Sequence, residues 1–246
     1  KTLVASARAA HMARRGADFG VNISDFTIDF AKVMQRQNKI RNGNSKGLQE
    51  WLAGMDGVDL YKGYAEFEGE HQVRIGDEVV TGESIVLNVG TSPVTLPIPG
   101  LAEVPWLDNA RLLDLEELPE HLVVVGGSYI GMEFAQAFRR FGSEVTIIEA
   151  MPQLMSREDA DIAESATKIL ADEGIAIVLG AKVQQVAQKG EKAIEVSYEL
   201  EGEETTVTGS HLLVAVGRAP NSAKLNLAAA GVETDGRGFI PVNDIM

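Results

Sequence analysis

The chain has no cysteine, which removes disulfide frameworks, thiolate metal sites and thiol nucleophiles from its 246 residues. Positive charge is scarce: 22 Lys and Arg stand against 36 Asp and Glu, a formal net charge of -14. Binding to a phosphate backbone needs clustered basic side chains, so no nucleic-acid partner is expected. The acidity is read as keeping the protein in solution. No apolar run approaches the roughly 20 residues of a membrane helix, and nothing after Lys1 has the pattern of a secretory leader. The expectation is therefore a soluble, cytoplasmic protein with no membrane contact. His11, His71, His121 and His211 show neither metal-ligand spacing nor triad partners, so no metal is expected. Trp51 and Trp106 are read as packing residues.

What is present is an apolar fraction of 45%, enough for a substantial core in one domain or two. Residues 2 to 15 are rich in helix formers, and Gly16 is a plausible stop. Phe26, Phe30, Val33 and Met34, then Leu48, Trp51 and Leu52, recur at helical spacing, with "RNGNSKG" (41 to 47) as a candidate interruption. From Val58 to Asn88 short β-type runs suggest a small antiparallel meander ending in a buried strand, Ile85 to Leu87. Pro93, Pro97 and Pro99 then mark a linker. Beyond it the order is strand, helix, strand, helix, strand. Ile130, Phe134, Phe138 and Phe141 line the first helix, and Ile162, Ala166, Ile169 and Leu170 the second. Ser156 and Asp159 suit the second helix's start and Gly174 its end. This alternation predicts an α/β fold with a parallel sheet covered by helices on both sides. Residues 181 to 209 return to meander-like β, and "HLLVAVGRAPN" is a further buried strand ending in a turn.

The stretch "VVVGGSYIGMEF" (123 to 134) places a glycine turn between a strand and a helix, the setting a dinucleotide fingerprint requires. Gly126 allows the tight turn, and Gly131 lets the helix pack close to the strand. The amides of Gly127, Ser128, Tyr129, Ile130 and Gly131 would face a pyrophosphate at the positive end of the helix dipole. Ser128 stands where the pattern has its second glycine. A close-packed turn without any ligand explains these residues alone about as well. Glu149 shifts the balance: it ends the next strand, 23 positions after Gly126, where a carboxylate that binds the adenosine ribose hydroxyls is expected. Such a carboxylate repels a 2′-phosphate and favours NAD over NADP, although Arg157 could serve a 2′-phosphate instead.

With "NVGTSPVTLPIPG" (88 to 100), "VTIIEA" (145 to 150) and "LLVAVGRAPN" (212 to 221) in this order, the whole chain resembles the flavin-dependent pyridine nucleotide-disulfide oxidoreductases. That family includes mercuric reductase, dihydrolipoamide dehydrogenase and glutathione reductase. The resemblance implies a Rossmann-like NAD(P)-binding domain inserted in an FAD-binding domain. Residues 1–92 correspond to the second part of the FAD domain, 93–220 to the inserted domain and 221–246 to the return. It also implies hydride transfer from NADH to FAD, then reduction of a disulfide or a metal ion, in a homodimer.

By position, the resemblance makes Lys1 and Glu133 a catalytic ion pair beside the flavin and Tyr129 a gate over it. Gly217 becomes a point of close backbone approach near the nicotinamide. It further implies that the redox cysteines lie just before Lys1, and that other flavin-binding and dimerisation segments lie outside this chain, which alone would be inactive. The alternative is a dinucleotide-binding sensor without disulfide chemistry, or a flavoprotein of the NADH oxidase or ferredoxin reductase type.

Overall fold

The computed structural model describes residues 1–244, so the last two residues of the expected return segment, Ile245 and Met246, lie outside it. In chain order the elements are α1 (Thr2–Arg14), α2 (Phe30–Ala53), β1 (Ala65–Gly69), β2 (Gln72–Ile75), β3 (Glu78–Thr81), β4 (Thr91–Pro93), β5 (His121–Val125), α3 (Tyr129–Phe141), β6 (Glu144–Glu149), α4 (Ala160–Asp172), β7 (Ala176–Leu179), β8 (Lys182–Lys189), β9 (Ala193–Leu200), β10 (Glu203–Gly209), β11 (His211–Val214) and β12 (Arg218–Pro220). They fall into two compact units. One holds residues 1–43 and 95–216, the other residues 44–94 and those from 217 onward. Among the described residues no helix is long and apolar enough to cross a membrane.

The first unit is built on a parallel sheet in the order β11-β5-β6-β7. Alternate residues of its strands face opposite sides. Leu122, Val124, Ile147 and Leu213 meet Leu3 and Ala7 of α1, Phe30 and Met34 of α2, Ala135, Phe138 and Phe141 of α3 and Leu170 of α4. Val123, Val125, Ile148, Leu212 and Val214 meet Val186, Ile194, Val196 and Tyr198 of the antiparallel sheet β10-β9-β8. The expectation of helices on both sides is therefore corrected: one face is covered by helices and the other by a meander. Handedness explains it. The steps β5 to β6 and β6 to β7 go the same way across the sheet, so two right-handed crossovers put α3 and α4 on the same face.

Other differences are local. Residues 41 to 47 do not interrupt α2; Ser45 accepts from Gln49, and Lys46 pairs with Glu50 one turn on. The helix begins at Phe30, after the Asp29 carboxylate takes the Lys32 amide at 3.0 Å, and leaves Phe26 in the preceding coil. On α4 the predicted Leu170 is buried, but Ala163 turns inward with it while Ile162 and Ile169 are more than half exposed. Trp51 is exposed at 59% and is not a packing residue.

In the second unit, β1-β2-β3 form an antiparallel sheet, and β12 pairs antiparallel with β4. Residues 85 to 87 keep the alternation of a strand, since Ile85 and Leu87 pack near Phe67, Leu225 and Leu227 while Val86 is 84% exposed. They pair with no strand among the described residues, so the expected strand is an extended segment instead.

One polar cluster ties α1, α3 and the end of α4 together. Arg140 donates twice to Glu173, at 2.6 and 2.7 Å, Gln136 donates to the same carboxylate, and His11 Nδ1 lies 3.8 Å from it. Burial works against the charged Glu173, yet the bonds and charge of Arg140 hold its pKa below the ordinary value. Burial, then the charge of Arg140, lowers that of His11. Both groups therefore bind protons less readily when folded than when unfolded, and acid favours the unfolded chain. The thermal midpoint is expected to fall as pH drops below the usual histidine range, and again below the usual carboxylate range. Glu173→Gln flattens the second limb of that profile.

Candidate active site

The carboxyl ends of β5, β6 and β11 meet at one edge of the parallel sheet. The chain leaves β5 toward β6 while β11 lies on its other side, so the strand order reverses between β5 and β11. Open α/β sheets bind ligands at such a switch point. Backbone bonds fix the crevice: the Gly126 amide donates to Ile148 O at 2.9 Å, and the Ala215 amide to Val125 O at 2.8 Å.

The glycines are needed for contact as well as for conformation. Gly126 has φ +109°, and a Cβ there would lie 2.5 Å from Ala215 O. At Gly131 it would lie 2.0 Å from Gly126 O. Gly127 occupies a position the fingerprint leaves free, but a side chain there would meet Leu154 at 2.4 Å and Glu149 at 3.1 Å. Ser128 opens α3 without a side-chain cap, and the first helical bond is from Met132 N to Ser128 O. Among the described residues, the amides of Ser128, Tyr129, Ile130 and Gly131 donate to no protein acceptor. Four donors thus converge at the positive end of a 13-residue helix.

Glu149 stands beside them. Its Oε2 accepts from the Gly127 amide at 2.5 Å and its Oε1 from the Met151 amide at 2.8 Å. A carboxylate offers about four acceptor sites, so this one is oriented by backbone and keeps capacity for further donors. The β6–α4 loop folds back on the turn, with the Met155 amide donating to Gly127 O at 2.9 Å, Met155 in the left-handed region at φ +49° and Leu154 fully buried. The Tyr129 hydroxyl donates to Glu158, a bond that raises the phenol above the ordinary tyrosine value.

The structure thus brings together Gly126 through Gly131 and Glu149. It does not join Lys1 to Glu133: both are exposed, and among the described residues no ion pair links them. Arg157 is exposed on the loop. Gly217, in the second unit, has φ +133° with open space where a Cβ would sit, so its requirement is conformational.

Sequence reasoning missed Leu154, Met155 and Glu158, whose roles depend on how the loop returns to the turn. It also missed the knit between "VGRAPN" and residues 89 to 93. There Arg218 donates to Thr91 Oγ1 at 2.6 Å, Asn221 Nδ2 to Val89 O at 3.0 Å, and Ser92 Oγ to Asn221 at 2.7 Å. The proximity of these segments in space, which gives the motif its polar residues, has no local signal.

Comparison with known proteins agrees with this architecture. The family model described as pyridine nucleotide-disulphide oxidoreductase covers residues 1–246. A mercuric reductase from Bacillus cereus is 34% identical over 246 residues, 100% of this chain and 39% of that protein. The probable pyridine nucleotide-disulfide oxidoreductase RclA of Escherichia coli (strain K12) is 38% identical over 220 residues, 87% of this chain and 49% of that protein. A solved copper(II) complex of the HOCl-induced flavoprotein disulfide reductase RclA superimposes with a TM-score of 0.85 at 36% identity, over 99% of this chain and 51% of that one. The chain therefore spans 39% to 51% of the length of these relatives, and it belongs to the pyridine nucleotide-disulfide oxidoreductase family.

Proposed function

We propose that residues 93–220 are the NAD(P)H-binding portion of a flavin-dependent disulfide oxidoreductase, with residues 1–92 and 221–246 contributing to its FAD-binding domain. The observation that carries this reading is the pairing of four uncommitted amides at the start of α3 with a carboxylate that the Gly127 amide orients. The glycine turn, which any Cβ at 126, 127 or 131 would close, fits a dinucleotide pyrophosphate. When bound, NADH would supply hydride and FAD would accept it, for reduction of a disulfide or metal-ion substrate.

The chain's own part is binding and orientation. The amides of Ser128 to Gly131 neutralise the diphosphate. Glu149 takes the ribose hydroxyls and repels a 2′-phosphate, favouring NADH over NADPH. Gly217 is assigned to close backbone approach at the nicotinamide half. Lys1 and Glu133 are assigned to hold charge beside the path of the hydride. With no cysteine among the 246 residues, the dithiol step belongs to groups outside them. The reading carries with it a cytoplasmic, homodimeric parent enzyme.

In the full-length protein, Glu149→Ala is expected to weaken NAD⁺ binding by roughly 10- to 100-fold, the loss of charge-assisted hydrogen bonds. It should also narrow the gap between NADH and NADPH. Calorimetric titration reads both, and an unchanged affinity refutes the assignment.

A further inference from the structure

Charge is unevenly spread along this acidic chain. Residues 1–43 carry eight Lys and Arg against three Asp, a net +5, whereas the other 203 residues carry 14 Lys and Arg against 33 Asp and Glu, a net -19. Solubility asks for no such concentration of cations, because a net charge of -14 already supplies it.

Three of these cations are ordered in space. Helix α2 has no acidic residue before Glu50, and Lys32, Arg36 and Lys39 follow one another on it at steps of four and three. At about 100° and 1.5 Å per residue they fall within about 60° of one another, in a row about 10 Å long. All three are exposed, and with Gln35 and Asn42 they line a cleft of about 1210 Å³. The segment 114–116 completes the lining with two acids, Asp114 and Glu116, of which Asp114 is already paired with Arg41 at 2.6 Å.

The row is open to a partner. Lys39 pairs with no carboxylate among the described residues. Lys32 meets Asp29 in a pair whose side chains are 81% and 52% exposed, which is worth little in water. Arg36 uses one nitrogen, Nη1, on Thr2 O at 3.1 Å and Ser6 Oγ at 3.4 Å, and its other guanidinium donors remain for a ligand.

Width selects the occupant. A nucleic acid or an anionic membrane is broad, and over this cleft it would also meet Glu116 and Asp114. A narrow, extended peptide can follow the row alone. Acidic side chains at alternate positions of such a peptide are about 6.6 Å apart, close to the rise of about 6 Å from Lys32 to Arg36. The side-chain amides of Gln35 and Asn42 offer donors and acceptors to its backbone.

We propose that the row of Lys32, Arg36 and Lys39 on α2 is a docking surface for an extended acidic segment of a partner protein. The test is fluorescence anisotropy of a fluorescein-labelled oligoglutamate peptide titrated with the full-length protein, at low and at physiological ionic strength. Wild type should bind it in a salt-sensitive manner. Lys32→Glu with Lys39→Glu should weaken binding by roughly tenfold or more, since each reversal replaces an attraction by a repulsion. Lys32→Gln with Lys39→Gln, milder at two exposed positions, should weaken it by roughly three- to tenfold and reads the same contact if the reversed variant does not fold. Lys182→Glu with Lys192→Glu, an equal change of net charge at exposed residues on and beside the strands of the meander, should leave binding within about twofold. An equal loss from the meander variant would make overall charge responsible and overturn the assignment. So would wild-type binding to inorganic polyphosphate or phosphatidylserine vesicles that matches or exceeds binding to oligoglutamate, or no binding of the peptide at all.

Discussion

Gly126→Val is expected to lower the thermal midpoint by roughly 10 °C and to abolish dinucleotide binding. Two effects add. A β-branched residue at φ +109° is held where L side chains rarely go. Its Cβ would also lie 2.5 Å from Ala215 O and 2.8 Å from Ala215 C, both backbone atoms of the segment that extends β11. Backbone cannot rotate aside as a side chain can, so β5 and β11 must separate at the switch point. A loss of roughly 3 to 5 kcal/mol, at 2 to 4 °C per kcal/mol for a unit of this size, gives the stated shift. Gly126→Ala should show the same direction with a smaller change. Calorimetry with and without NAD⁺ separates the two consequences: a variant that keeps wild-type stability shows that the turn has room the geometry denies.

Phe138→Ala is expected to cost roughly 3 to 5 kcal/mol in urea unfolding without altering the surface of the crevice. Phe138 is fully buried at the centre of the helical face, and its ring lies 5.8 Å from Phe30 and 6.1 Å from Phe141, with Phe30 and Phe141 5.9 Å apart. The three come from α2 and α3, so one truncation removes one of the ring contacts between these helices and leaves a cavity among rings in tilted and edge-on packing. Phe138→Leu should cost about half as much. Equal costs for the two variants would mean that the aromatic packing contributes little.

These two residues also mark what the sequence makes legible. Phe138 was readable because the apolar period of α3 is strong and its face is the one buried. On α4 the predicted face includes Leu170, which is buried, but also Ile162 and Ile169, which are exposed while Ala163 turns inward, because period alone does not reveal which row the neighbouring sheet admits. The glycine turn and Glu149 were readable because they are local punctuation at a fixed separation along the chain. The need for glycine at 127 has no local signal, since its reason is the approach of Leu154 and the Glu149 carboxylate from elsewhere in the chain. The meander on the second face of the sheet was visible as β texture, but its position follows from the direction of two crossovers, which only the strand order discloses. The continuous α2 shows local glycine and asparagine preferences overridden by interactions one turn apart. Lys1 and Glu133 came from resemblance alone, and their side chains remain unlinked.

The most direct measurement is a crystal structure of the full-length protein with NAD⁺ bound. The expected result is diphosphate oxygens within hydrogen-bond distance of the amides of Ser128 to Gly131, and the adenosine ribose hydroxyls on Glu149. A nucleotide seated elsewhere, or a Glu149 carboxylate that turns away from the sugar, contradicts it.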